Sequence, residues 1–130
     1  MTYAGLVAHL AAMSVTGIAA TQRRSSPPAI DTSGNYPLSY PRLPAVNREL
    51  LTVGPQAGLD TATVEYVIVI ARDTLDVASV RFSDTLTMID NLNAALNTEM
   101  IAHNEIVAWA IQPQITEYGW SLVATVEATG

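Results

Sequence analysis

The chain has 130 residues, of which 49% are hydrophobic and only 14% charged, with a net charge of -6. That length allows one folded unit with a core of its own. The six basic residues are all arginines, set against 12 acids, which excludes a protein that wraps nucleic acid through Lys and Arg on phosphates. Cysteine is absent, which excludes a disulfide framework, a thiolate nucleophile and a cysteine metal site.

So few charges for a small surface imply that part of the surface is covered by other chains. Uncharged Thr, Ser, Asn and Gln supply the remaining polarity.

The N-terminal stretch predicts a helix. Tyr3, Leu6, Val7, Leu10 and Met13 fall on one face at i, i+3, i+4 and i+7 spacing, Thr2 can cap the start, and Gly17 marks the exit. Its other face carries Ala4, Gly5, Ala8, His9 and Ala12 and no charge. Small residues allow a second backbone to approach closely; the plainer reading is a short Ala-rich exposed face. The stretch is apolar enough to suggest a secretory signal, but no Lys or Arg precedes it and His9 interrupts it, so a signal peptide is not expected. No other run is long and apolar enough for a membrane span.

Residues 25–60 read as an extended, proline-rich arm. "SSPP", "DTSGN", "NYPLSYPRLP" and "VGPQAG" are loop and turn chemistry. Each proline removes an amide donor and pushes the residue before it toward extended geometry, so any strand here lies at a sheet edge. Leu38, Tyr40, Leu43, Leu50 and Leu51 are too apolar for a disordered linker. Tyr36 and Tyr40 offer amphipathic contact area and Arg42 a charge to pair. The arm packs on its own chain or on a neighbour, with the neighbour preferred.

Thr61–Leu75 predicts a central strand. Val64, Tyr66, Ile68 and Ile70 share one side and Val67, Val69 and Ala71 the other, so both faces need a cover. A second helix is expected from Asp76, its cap, to about Asn97, with Phe82, Leu86, Ile89, Leu92 and Leu96 as its core stripe and Asp84, Asp90 and Asn91 on the polar side. "EIVAWAIQPQIT" and "WSLVATVEAT" read as two strands joined at Glu117–Tyr118–Gly119, with Pro113 at a bulge or on an edge. The order helix, strands, helix, two strands defines an α+β unit over residues 1–130: an antiparallel or mixed sheet flanked by two helices, with the long arm at 25–60.

The chemistry-bearing residues form no catalytic constellation. His9 and His103 lack a partnered nucleophile and there is no G-x-S-x-G. Asp73 with Asp76, and Asp84 with Asp90, lack a neighbouring His and read as solvated carboxylates or a cap rather than metal ligands. The glycines do not make a phosphate-cradling loop. No enzyme activity, cofactor or metal is therefore expected. Arg23–Arg24 reads as an ion-pair partner rather than a nucleic-acid patch. Trp109 and Trp120 read first as core or same-face sheet residues, and second as interface anchors.

The opening "MTYAGLVAHLAAMSVTGI", the "SYPRLP" stretch and the ending "YGWSLVATVEATG" resemble the tail terminator and neck proteins of long-tailed bacteriophages, with elements in the order of the lambda-type tail terminator fold. The resemblance spans most of the chain. It implies a ring, usually of six copies, at the head-proximal end of the tail tube. Such a ring stops tube polymerisation and docks to the head–tail connector. DNA passes through its lumen without specific binding. Implied partners are further copies of the chain, the tail tube protein and the connector or stopper protein, with no membrane. The implied location is the virion neck, after assembly in the host cytoplasm. On this reading Ala8, His9, Arg23, Arg24, Tyr36, Tyr40 and Arg42 are the candidate interface residues. The alternatives are another neck component, such as a stopper or head-completion protein, and a small ligand-binding or hydrolytic α+β domain.

Overall fold

In the computed structural model, residues 3–28, 36–50, 58–72, 77–102 and 106–129 are described. The chain runs through α1 (Tyr3–Ala12), a short 3₁₀ turn (Ala20–Gln22), β1 (Leu38–Pro41), β2 (Ala45–Leu50) and β3 (Gly58–Ala71). It continues through the four-residue helix α2 (Val77–Val80), α3 (Phe82–Ala102), β4 (Ile106–Thr116) and β5 (Gly119–Thr129). The α+β class holds, and all strand pairings are antiparallel. The central strand spans Gly58–Ala71 rather than Thr61–Leu75, and Leu75 lies outside the described residues.

The sheet order is β1-β3-β5-β4, with β2 also on β3. β1 and β2 lie end to end along the same side of β3. β1 pairs Pro41 with Tyr66, whereas β2 resumes by pairing Ala45 with Thr63. Four steps on the arm thus match three on β3, which is a one-residue β-bulge. Leu43 protrudes there, 91% exposed. Arg42 N–H donates to the Glu65 carbonyl at 2.8 Å, so by ladder alternation Pro41, one residue earlier, faces away from β3 and loses no ladder bond.

Alternation along β3 and β5 defines the two sheet faces. Val64, Tyr66 and Ile68 with Leu122, Ala124 and Val126 point to one side. There they meet Leu6, Leu10 and Met13 of α1, Val15 and Ile18 after it, and Met88, Leu92, Ala95 and Leu96 of α3. Both long helices therefore cover the same face. The other face has a small cluster at one end only: Leu38, Tyr40, Val67, Val69, Tyr118 and Val123, with Tyr36 packed against it.

Three expectations about the helices need correcting. First, α1 ends at Ala12, five residues before Gly17, which instead occupies a later turn at φ 95°. The cap is remote: Arg23 Nη1 donates to the Ala12 carbonyl at 2.7 Å, satisfying one of the orphan acceptors of the last turn. Tyr3 is 38% exposed rather than core, and Thr2 lies outside the described residues.

Second, the buried stripe of α3 is Thr85, Met88, Leu92, Ala95 and Leu96, while Phe82 is 62% and Leu86 50% exposed. Tertiary hydrogen bonding turns the helix. Trp120 Nε1 donates to Thr85 Oγ1 at 2.9 Å, and that hydroxyl donates to the Arg81 carbonyl at 2.6 Å, so a threonine can be buried without an unmet polar group. On the two flanks, Trp109 Nε1 donates to Asn93 Oδ1 at 3.0 Å and Asn91 Nδ2 donates to the Thr16 carbonyl at 2.9 Å.

Third, the helix runs on past Asn97 to Ala102, and a break at Arg81 separates it from α2; the expected cap Asp76 is outside the described residues.

The terminal hairpin forms as expected, with Pro113 on the edge strand β4. Gly119 closes it at φ 126°, where a Cβ would collide with the backbone of Ala71 and Arg72.

Candidate interaction surfaces

The arm residues Tyr36–Pro44 lie on their own sheet. Tyr40 is fully buried and meets Tyr118 edge to face, with ring centroids 5.5 Å apart at 75°. The Tyr118 hydroxyl donates to the Pro28 carbonyl, tying the start of the arm to the terminal hairpin. Arg42, one step beyond Pro41, projects on the same face. Its Nη1 sits 3.4 Å from Glu65 and its Nη2 3.6 Å from Glu117. One guanidinium thus bridges the central strand and the β4–β5 turn.

Beside it, burial raises the Tyr40 hydroxyl to about 12 despite the nearby guanidinium, which faces it without a well-formed hydrogen bond. Burial also raises Tyr66, on the helix side beneath Ser39, and Tyr118, where the Glu117 carboxylate adds to the effect.

A shallow groove of about 440 Å³ opens on the helix side between Ala8, Ala11 and Ala12 of α1 and the segment Ala20, Arg23, Arg24 and Ser25. His9 is exposed on α1 next to it. Arg23 caps α1, Arg24 Nη1 donates to the Thr21 carbonyl at 3.2 Å, and Arg24 N–H donates to the Ser39 carbonyl at 2.7 Å. The segment carrying the arginine pair therefore lies along the outer edge of β1, and both arginines line the groove.

The seven expected interface residues divide into two sets. Ala8, Arg23 and Arg24 line the alanine groove, and His9 follows Ala8 on α1 without lining it. Tyr36, Tyr40 and Arg42 lie on the opposite side of the sheet, and of these Tyr40 is wholly internal. The acids that hold Arg42 were not singled out from sequence; Glu65 stands about midway along β3 and Glu117 sits in a turn, so nothing local marks them as partners.

Away from the Tyr40 cluster, the non-helix face of the sheet is open among the described residues. Thr63 and Thr125 are half-buried, and Ala108, Ala110, Gln112 and Gln114 are exposed on it. Glu65 and Glu127 add negative charge. Among the described side chains of this face the one cation is Arg42, already held by two carboxylates.

Apolar groups are exposed elsewhere: Leu43 and Val46 along the β1–β2 side, Val107 and Ile115 on β4, and Val80, Phe82 and Leu86 at the start of the second helical region. They were legible as hydrophobic but not as exposed.

Among the described residues no His, Asp or Glu groups gather in the way a metal site requires, and no helix is long and apolar enough to cross a membrane. Asp84 lies 3.8 Å from Arg81 and Asp90 is exposed; His103, Asp73 and Asp76 lie outside the described residues. Compared with described protein families, with curated proteins and with solved structures, the chain matches none.

Proposed function

We propose that this chain is a structural protein of a phage virion, a tail terminator that forms a ring of about six copies at the head-proximal end of the tail tube, the number following from the family resemblance. The ring ends tube polymerisation, offers a docking face to the head–tail connector, and lets DNA pass through its lumen. On this reading it acts in the virion neck, is assembled in the host cytoplasm, and has no catalytic step. The helix–strands–helix–two strands order supplies a sheet with its helices on one side, and the proline-rich arm stiffens one margin of the subunit.

The observation that supports this reading most is the open sheet face. A sheet packed on one side and open on the other normally alternates apolar with charged residues. Among the described residues the open positions are Ala, Thr and Gln with carboxylates, and Arg42 is held locally by two of those carboxylates. Such a surface repels phosphate rather than binding it, which suits a passage through which DNA must slide. Sparse charge and exposed apolar side chains supply the material for subunit contacts.

The test is assembly. Purified protein is examined by native mass spectrometry and electron microscopy, alone and with tail tube and connector proteins. A ring capping one end of the tube, and tubes that cease to lengthen in its presence, are expected. A ring seated on the connector and not on the tube would make the chain a stopper. A strict monomer in every mixture would sink the reading.

A further inference from the structure

β4 forms one margin of the sheet and β2 part of the other, and among the described residues no strand pairs with the outer side of either. Free edges are ordinarily guarded by charge, brevity or a covering segment, because a row of unpaired amides invites another strand. β1 is guarded: Arg24 N–H donates to Ser39 across its outer side. β4 is not. It runs for 11 residues, Ile106–Thr116, without one charged side chain.

Pro113 shows which of its amides face outward. Proline has none to give β5, so position 113 is one where the amide points away from the ladder. Alternation then points the amides of Trp109, Ile111 and Ile115 outward as well. Exposed apolar side chains accompany both free edges: Val107 at 50% and Ile115 at 58% on β4, Val46 at 46% and Leu43 at 91% along the β2 side.

Strand direction selects the occupant. The arm strands, β3, β5 and β4 form four columns of alternating direction, so β4 runs opposite to β2. Copies related by rotation about a ring axis then meet with β4 of one beside β2 of the next in the antiparallel sense, the more favourable pairing. Val46 lies on the same rung as Ile106, through Ala62 and Ala128, which brings it level with the start of β4 beside Val107, whereas Ile115 stands at the far end of β4, level with Ala71. We propose that a second copy of this chain occupies the β4 edge: β2 of one subunit adds to β4 of the next, and repetition closes the ring. The bulky helix layer takes the longer outer circumference and the open polar face turns inward. A two-fold β4–β4 contact would leave both β2 edges bare, whereas the head-to-tail contact uses every free edge.

This rests on the ring reading above, and the experiment separates the two. Assembly of wild type, Val46→Glu and Ile115→Pro is followed by light scattering and native mass spectrometry, with thermal melts alongside. Because the chain has no cysteine, Val46→Cys is also combined in turn with Val107→Cys, Gln112→Cys or Ile115→Cys and oxidised. Expected are rings for wild type, at least tenfold weaker assembly for both edge variants with unchanged melting, and a covalent ladder up to ring size for one or more cysteine pairs. Wild-type rings that persist in both variants, with no ladder from any pair, would overturn the edge contact and leave the ring reading standing. Self-cross-linking of Ile115→Cys into dimers that go no further would overturn the head-to-tail arrangement. A wild-type chain that stays monomeric alone and with tail tube and connector proteins would remove both.

Discussion

The two faces of the sheet are built on opposite terms. On the helix face, β3 and β5 contribute Val64, Tyr66, Ile68, Leu122, Ala124 and Val126, all buried against α1 and α3. On the other face the same two strands contribute Thr63, Glu65, Thr125 and Glu127 over most of their length and turn apolar only near Val67, Val69 and Val123. Burial of apolar surface thus concentrates on one side, and the other side is left with surface chemistry free to serve a task. The exception is instructive. Where the open face does acquire a core, it borrows it from the arm: Leu38 and Tyr40 arrive on β1, and Arg42 fastens them by bridging Glu65 and Glu117.

This contrast can be broken most severely on the helix face. Leu122→Ala removes a fully buried side chain from the core shared by the sheet and the helices and should cost ~2–5 kcal/mol of stability by chemical denaturation. A loss no larger than that at an exposed position would mean the helix layer does not carry the fold. Gly119→Ala tests the turn that closes the terminal hairpin. Its positive φ and the crowding from Ala71 and Arg72 should make the substitution cost ~1–3 kcal/mol, read from the same denaturation curves.

The third experiment sharpens the small core on the open face through pH. The Tyr40 hydroxyl is raised from 10.0 to about 12 in the folded chain. The folded state therefore holds its proton more tightly than the unfolded state. The corresponding stability is fully present below pH 10 and is lost as pH climbs from there toward 12. Thermal melts should show this fall, and Tyr40→Phe should flatten it. Tyr66 and Tyr118, shifted in the same direction, supply what slope remains.

The smallest effect is expected at Arg42, whose ion pairs are partly exposed. Arg42→Ala should cost no more than ~1 kcal/mol in melting and denaturation. Arg42→Glu, which sets three carboxylates together, should weaken assembly more than folding, as seen by light scattering beside a melt.

The sequence was most readable where chemistry is local. Pro37, Pro41 and Pro44 announced an edge, Gly119 a tight turn, and the Val–Ile run of β3 a strand buried on both sides. It was least readable where a side chain's fate depends on a distant partner. On α3, Phe82, Leu86, Ile89, Leu92 and Leu96 fit helical spacing as well as Thr85, Met88, Leu92, Ala95 and Leu96 do. Leu92 and Leu96 are buried in either set and Ile89 packs partly buried against the core, but Trp120, 35 residues from Thr85 along the chain, draws Thr85 inward while Phe82 and Leu86 stay exposed. The candidate contact residues show the same limit. Tyr40 is aromatic and amphipathic, the profile of an interface anchor, yet Tyr118, far along the chain, encloses it. The uncharged length of β4 was visible in the letters Ile106–Thr116; that it forms a margin of the sheet was not, because strand order depends on pairings of high sequence separation.

The tryptophans carry one more consequence. The chain has only two, and both indole N–H groups are bonded to α3, Trp109 at Asn93 and Trp120 at Thr85. Neither belongs to the Tyr40 cluster or to the arginine groove. Tryptophan emission, excited selectively over the five tyrosines, is therefore a reporter of a single event, the seating of one helix on its sheet. It is nearly blind to the arm, so a change in the arm that leaves emission untouched can be assigned without a label.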